Sequence, residues 1–442
     1  MQKTPIKAVR GTRDLLPPET ALWNFVEAAA RDVFRVYDFH EIRTPIFEET
    51  QLFARSVGEE TDIVSKEMYT WEDRARAESP GAPSGSAGER KAGQSLTLRP
   101  ENTAGVVRAY IEHKLWERPG LQKLYYIGPQ FRRERPQKGR YRQFYQIGAE
   151  VIGPPSAGSE SPAVDAEVLE MLATLLDRVG IQGWTLELNS VGCSADRPKY
   201  HAALKKALAA HVKTMCADCQ RRAETNPMRV FDCKVEADQP IIQKLPRMSE
   251  FLDDACRAHF AEVQALLGAL EVPFTLNDRM VRGLDYYSRT AFEYTHGALG
   301  AQNAILGGGR YDGLSEALGG PAAPGIGFAI GQDRLVMAAE ESAEAIARPL
   351  DVYIAPLGVG MNREAAKLAR ELRHHDLIVR LGEESFRLKK SLETASKLGA
   401  RFALIVAENE VKSQEFALKN LATGEQVSVP CAELPNRILG SR

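Results

Sequence analysis

Over residues 145–151 the sequence alternates apolar residues with polar or small ones, and a period of two fits a strand and no helix. One face of that strand carries Tyr145, Ile147, Ala149 and Val151 and reads as core. The other carries Gln146, Gly148 and Glu150 and reads as a polar floor. Glycine between two hydrogen-bonding side chains leaves room for a small ligand against the sheet, because it has no Cβ; a solvated sheet face shows the same alternation. Residues 121–127 form a second strand-like run, and its connection to residues 143–152 predicts an antiparallel hairpin with a long tip.

That tip, residues 132–142, holds Arg132, Arg133, Arg135, Lys138, Arg140 and Arg142 against the single acid Glu134. Such an excess of like charge repels itself and calls for an anionic partner. Planar guanidinium groups suit phosphate, and Tyr141 and Phe144 stand near for base stacking, so either a nucleotide or a nucleic-acid end fits. In Gly325-Ile326-Gly327-Phe328-Ala329-Ile330-Gly331, the apolar residues share one strand face and the small ones the other. A flat aromatic ring could lie on the small face, with Arg334 in the first turn of the following helix aimed at phosphate charge; close packing of the strand under a helix gives the same pattern. Arg282-Gly283 and the pair Tyr286-Tyr287 precede a further strand, which places a cation and two phenols at its entrance.

A helical stripe of Leu22, Phe25, Val26, Ala29, Val33 and Val36 leads into a short strand at residues 41–45 that Pro45 stops. Residues 72–95 are rich in Glu, Arg, Ala, Gly, Ser and Pro without a period and read as an exposed excursion between two strands. Residues 191–270 read as a mostly helical insertion into a catalytic domain made of residues 1–190 and 271–340. An Ala/Glu-rich helix follows Ala338 and ends near Pro349. From there to residue 442, strands and helices alternate as a separate small α/β domain.

Lys and Arg number 57 and Asp and Glu 59, so nucleic-acid contact must come from local patches rather than a global positive field. No run nears the roughly 18 apolar residues of a membrane span, and the opening Met1-Gln2-Lys3 has no apolar signal region; a soluble, cytoplasmic protein with reduced thiols is expected. Phosphate-binding G-x-x-x-x-G-K-[ST], dinucleotide G-x-G-x-x-G, H-E-x-x-H and G-x-S-x-G motifs are all missing, which disfavours the chemistries they serve. Cys216, Cys219 and Cys233 have metal-like spacing, but a fourth ligand would have to come from Cys193 or Cys256.

Taken together, Thr97-Leu98-Arg99-Pro100-Glu101-Asn102-Thr103, the 131–150 hairpin, the 282–287 and 307–313 segments and the 325–335 strand and helix resemble the histidyl-tRNA synthetase family of class II aminoacyl-tRNA synthetases. The resemblance begins at Arg10-Gly11-Thr12-Arg13-Asp14 and covers nearly the whole chain; Asn102 departs from the family's frequent glycine. It implies an α+β fold: an antiparallel catalytic sheet, a mostly helical insertion, a C-terminal α/β anticodon-binding domain, and a homodimer built on the helix and strand of residues 18–45. It implies ATP-dependent activation of L-histidine to histidyl-adenylate and transfer to the 3′ end of tRNA(His), with Mg²⁺ arriving with ATP and no protein-only metal site. By position, Glu101, Thr103, Arg132, Gln146, Glu150, Arg282, Tyr286, Tyr287 and Tyr311 would bind histidine. Arg132, Glu134, Arg140 and Arg334 would bind ATP, with Arg132, Arg282 and Arg334 catalytic. Arg133, Arg135, Gln137, Lys138 and Arg142 would meet the tRNA acceptor end. Two other readings compete: a synthetase-like regulatory subunit of ATP phosphoribosyltransferase, which lacks the anticodon domain, and a general RNA-binding protein, which the near-neutral charge disfavours.

Overall fold

The computed structural model describes residues 6–58, 61, 63–73, 94–137, 139–281, 284, 286–300, 303–339 and 350–440. Arg282, Lys138, the interior of the 72–95 excursion and the expected helix before Pro349 lie outside the described residues. The chain divides into two compact units, residues 1–346 and 347–442.

The first unit is built on an eight-stranded sheet. Its order is His40–Glu41, Gln122–Phe131, Gln143–Ile152, Gly325–Gly331, Ala304–Arg310, Ser288–Thr295, Thr185–Ser190 and Phe274–Leu276. All pairings are antiparallel except those of the two edge strands. The alternation around Gln143–Ile152 settles which face is which. Ile147, Ala149 and Val151 join Ile326, Phe328, Ile330, Phe292 and Leu188 in one apolar layer, onto which the helices Glu19–Val36 and Pro162–Val179 press Val26, Val33, Phe34, Leu169, Leu172 and Leu176. Each such burial contributes roughly 1.5–3 kcal/mol, and Phe34 adds a stacked contact with Tyr125 at 4.5 Å between ring centroids. With one face committed to helices, the polar face is left for a ligand.

Two local expectations change. The first helix buries Trp23, Ala30 and Phe34 besides the expected Leu22, Val26, Ala29 and Val33, whereas Phe25 is half-buried and Val36 is exposed; the stripe is rotated because the sheet, and not the helix, sets where the core lies. The strand expected at residues 41–45 is only His40–Glu41, paired in parallel with Leu124 and Tyr125. Thr44 and Pro45 instead turn their carbonyl oxygens to the Arg99 guanidinium.

The chain leaves the sheet after Ser190 and returns at Phe274. In between, Tyr200, Leu204, Val230, Phe231 and Ile242 form a separate small core, while Val263 and Leu267 of the helix Asp254–Ala269 pack into the main one.

The second unit has the strand order Val379–Leu381, Val352–Leu357, Phe402–Ala407, Glu415–Asn420 and Gln426–Pro430, parallel across its first three strands and antiparallel after. Ala365, Leu368, Ala369 and Leu372 of the helix Met361–His374 pack on Val352, Ile354, Leu404 and Val406. The strand and helix alternation was legible in the sequence through Phe402–Ala407; the two closing strands and the helix Leu434–Leu439 were not, being short and half-polar.

Candidate functional site

Glu150 stands at the centre of the polar face and is fully buried. Thr103 Oγ1 donates to its Oε1 at 2.7 Å and the Tyr311 hydroxyl to its Oε2 at 2.7 Å, with the Tyr126 hydroxyl 3.4 Å from Oε1. The carboxylate can lie there because the facing residue is Gly327, where a Cβ would fall 1.7 Å from Oε2. Burial, reinforced by the charge of Glu101, pushes the Glu150 carboxyl up to about 8 against the hydrogen bonds of Thr103 and Tyr311.

Glu101 is also buried and displaced upward by burial. Its two oxygens accept the N–H groups of Thr103 and Ala104 at 2.7 and 3.1 Å, which satisfies the first turn of the helix Thr103–Glu112. The rings of Tyr286 and Tyr287 lie 4.7 Å apart, tilted by 49°, and Tyr286 meets Tyr311 edge to face at 5.9 Å. Burial holds the phenols of Tyr126, Tyr286 and Tyr311 well above their usual range, so they remain neutral donors.

Farther along the same floor the chemistry turns cationic. Arg132 Nε donates to the Pro100 carbonyl at 3.0 Å, and its guanidinium lies 5.2 Å from the centre of the Phe144 ring. The charged tip folds back as a tight turn closed by reciprocal Gln137 and Arg140 backbone bonds of 3.1 and 2.9 Å. Its Gly139, at φ +75°, rests near Met337 and Arg334. Arg334 donates to the Ala304 carbonyl at 2.7 Å, and burial together with nearby Arg140 holds its guanidinium below the usual value. Two cations kept close on a half-buried floor favour an anion between them. Glu134 pairs with Arg140 at 3.5 Å, and Glu293 also acts on Arg334.

Glu101, Thr103, Glu150, Tyr286, Tyr287 and Tyr311 are thus brought to one place, and Glu134, Arg140 and Arg334 to another. Two expectations need correction. The space over Gly148 is taken by the protein's own Tyr126, whose ring a Cβ at 148 would approach to 2.4 Å. The small face of Gly325–Gly331 likewise receives Tyr311 over Gly325 and Glu150 over Gly327, not a free aromatic ring at those two positions. Among the residues expected at the acceptor end, Arg133, Arg135 and Gln137 are exposed, and Arg142 bonds through its N–H and Nη1 to the carbonyls of Gly11 and Arg10 at 2.7 and 3.2 Å.

Sequence reasoning passed over Tyr126 and Gln130. The register Tyr126 to Gly148 follows from the hairpin once its length is known, so the signal for Tyr126 existed. Gln130 is fully buried with both amide atoms unpartnered, on the floor's own face. It also passed over the buried group Asp165, His259, Thr290 and Arg310 under the site.

A buried acid and phenol pocket beside paired guanidinium groups, on an antiparallel sheet, is the arrangement of a class II aminoacyl-tRNA synthetase. Residues 89–335 match the family model of histidyl-tRNA synthetase, and residues 351–440 match that of an anticodon-binding domain. The chain is 68% identical to a histidine–tRNA ligase of Koribacter versatilis, over 97% of this chain and 95% of that one. It is 58% identical to that of Solibacter usitatus, over 98% and 99%. The crystal structure of apo S. aureus histidyl-tRNA synthetase superposes with a TM-score of 0.77 at 37% identity, covering 98% of this chain and all of that one. The chain belongs to the histidyl-tRNA synthetase family.

Proposed function

We propose that this chain activates L-histidine with ATP and transfers the histidyl group to the 3′ end of tRNA(His). The observation that carries the reading is the single continuous floor on which Glu150, held by Thr103 and Tyr311, lies alongside Arg132, Arg140 and Arg334. The histidine side chain would sit among Glu150, Tyr286, Tyr287 and Tyr311, and its α-amino group by Glu101, Thr103 and Gln146, whose Oε1 is buried without a partner.

The histidine carboxylate attacks the α-phosphorus in line and pyrophosphate leaves. Arg132 and Arg282 stabilise the charge spreading over the phosphoryl oxygens, while Arg334 and Arg140 hold the departing end. Mg²⁺ would enter on the ATP phosphates; Glu134 and Glu293, the carboxylates on that side of the floor, fit its preference for one or two protein oxygens. A terminal ribose hydroxyl of the tRNA then attacks the adenylate. Arg133, Arg135, Gln137, Lys138 and Arg142 would meet the acceptor end, and residues 349–442 would read the anticodon. A homodimer through residues 18–45 and a cytoplasmic location complete the proposal; no described helix is long and apolar enough to cross a membrane. The regulatory-subunit reading is not favoured, because the curated relatives are ligases along nearly their whole length and the anticodon-binding match is present.

Histidine-dependent ATP–pyrophosphate exchange, run against all twenty amino acids, tests the first half-reaction: exchange with histidine alone is expected, and none with any amino acid from folded protein overturns the reading. Arg282→Ala is expected to lower that exchange about 10²–10⁴-fold with the oligomeric state unchanged; activity within a few-fold of the parent removes Arg282 from its role. Gly327→Ala forces the Glu150 carboxylate aside, and a displacement of that size is expected to lower exchange at least about 10²-fold, with near-parent rates showing that Glu150 can relocate freely.

A further inference from the structure

We propose that the inserted segment carries a structural zinc site made by Cys216, Cys219, Cys233 and Asp238. Their ligand atoms all lie within 4.8 Å of one another. The sequence led to Cys193 or Cys256 as the fourth ligand, but these two belong to a different group with Asp196 and Asp253. The fourth place by the three thiols goes to Asp238, which is buried along with Cys219 and Cys233.

Two edges of the group have the length expected in a tetrahedron around a metal, and every ligand atom lies within 4.8 Å of the others. With zinc–sulfur bonds of about 2.3 Å and zinc–oxygen bonds of about 2.0 Å, ideal sulfur–sulfur and sulfur–oxygen edges are about 3.8 and 3.5 Å. Cys216 and Cys233 have their sulfurs 3.8 Å apart, and Cys233 Sγ lies 3.3 Å from Asp238 Oδ2. Backbone N–H groups point at the sulfurs as thiolates require: Cys219 N–H at Cys216 Sγ, 3.5 Å, and Val235 N–H at Cys233 Sγ, 3.4 Å. Three sulfurs and one carboxylate oxygen suit zinc, which takes such donor sets in tetrahedral closed sites. Binding would displace the thiol protons to solvent with no change of oxidation state.

The second group does not match this. It offers two thiols where the first offers three; carboxylates in both accept backbone N–H groups, Asp238 from Cys216 at 3.1 Å, Asp196 from Cys193 and Asp253, and Asp253 from Cys256, so the thiol count is what sets the zinc preference apart.

Placement gives the ion a task. Cys216 precedes the helix Ala217–Thr225, and Cys233 and Asp238 follow the helical turn Pro227–Asp232. The ion therefore clasps both ends of a stretch whose Met228 and Arg229 line a cleft with Tyr287, next to the pocket described above. The stretch shares a small core with Tyr200, Leu204 and Ile242, and a metal at its ends would add to what that limited packing supplies.

The test is zinc content of the full-length chain purified without chelator, by elemental analysis and by release to a colorimetric chelator on thiol modification. About one ion per chain is expected, falling below about a tenth in Cys219→Ser. Cys193→Ser serves as the control and should keep its ion. In case Cys219→Ser does not fold, the parent chain is stripped, reduced and offered cobalt, which should give the absorption of a tetrahedral thiolate site, and zinc, which should restore resistance to proteolysis around residues 211–240. A reduced parent chain that neither carries nor takes up a stoichiometric ion overturns the site, as does a Cys216 or Cys219 disulfide with Cys233 found in freshly isolated protein. Loss of the ion in Cys193→Ser but not in Cys219→Ser overturns it in favour of the other group.

Discussion

Replacing Glu150 by alanine is expected to lower histidine-dependent exchange about 10³-fold or more, with the histidine KM rising far more than that for ATP. The side chain gathers donors from three elements: Thr103, Tyr311 and Tyr126 all direct hydroxyls at it. Without it these groups are left buried and unpaired, at about 1–3 kcal/mol each. A pocket that recognises its ligand by hydrogen bonds loses most when the recognising group goes. An unchanged histidine KM in a folded variant would take Glu150 out of the pocket. Glu150→Gln keeps the shape and adds a second readout, in pH. The folded carboxyl titrates near about 8 against an ordinary value of 4.5, so the folded chain holds a proton that the unfolded chain has released. Its contribution to stability is full below about 4.5 and is lost as pH rises through about 8. The glutamine variant should therefore gain on the parent between these pH values, by on the order of a few kcal/mol, in urea unfolding of the two proteins. A constant difference across that range would show that Glu150 is ionised as an exposed glutamate is.

Asp165→Ala is expected to lower the stability of the catalytic unit by about 3 kcal/mol, because it takes from the buried Arg310 guanidinium its fully buried partner and leaves only the partly exposed Asp312 as counter-charge. Asp165 and Arg310 are both fully buried and form an ion pair. The other oxygen of Asp165 takes His259 Nε2 at 2.9 Å and Thr290 Oγ1 at 2.6 Å, and Arg310 also reaches Asp312 at 3.0 Å and the Ser159 carbonyl at 2.6 Å. Burial works against ionisation of Asp165, yet Arg310 and His259 hold its carboxyl below the usual range. This one carboxylate joins the helix Pro162–Val179, the strand Ala304–Arg310 and the helix Asp254–Ala269, so hydrogen exchange should quicken in all three. Asp165→Asn keeps an acceptor and should cost less. Denaturant unfolding is the measurement, and an alanine variant within about 1 kcal/mol of the parent would mean that Asp312 alone suffices to compensate Arg310.

Local periodicity determined a good deal about this protein. The two faces of residues 143–152, the amphipathic first helix, the basic hairpin tip and the alternation that opens the C-terminal unit were all readable, because each depends on residues within a few positions of one another. Glu150, Thr103 and the tyrosines could be marked as candidates, but their meeting could not be read from spacing. Tertiary structure decided who stands across from whom. Tyr126 fills the space over Gly148 and Glu150 that over Gly327, since register and sheet order choose the neighbour. Asp238 joins the three cysteines where other cysteines were expected, and Arg142 turns to the N-terminal segment. Asp165 finds Arg310 at a separation of 145 residues. A charge can be buried only where a partner arrives to compensate it, and that partner is chosen by the folding of the whole sheet, which no short stretch of sequence encodes.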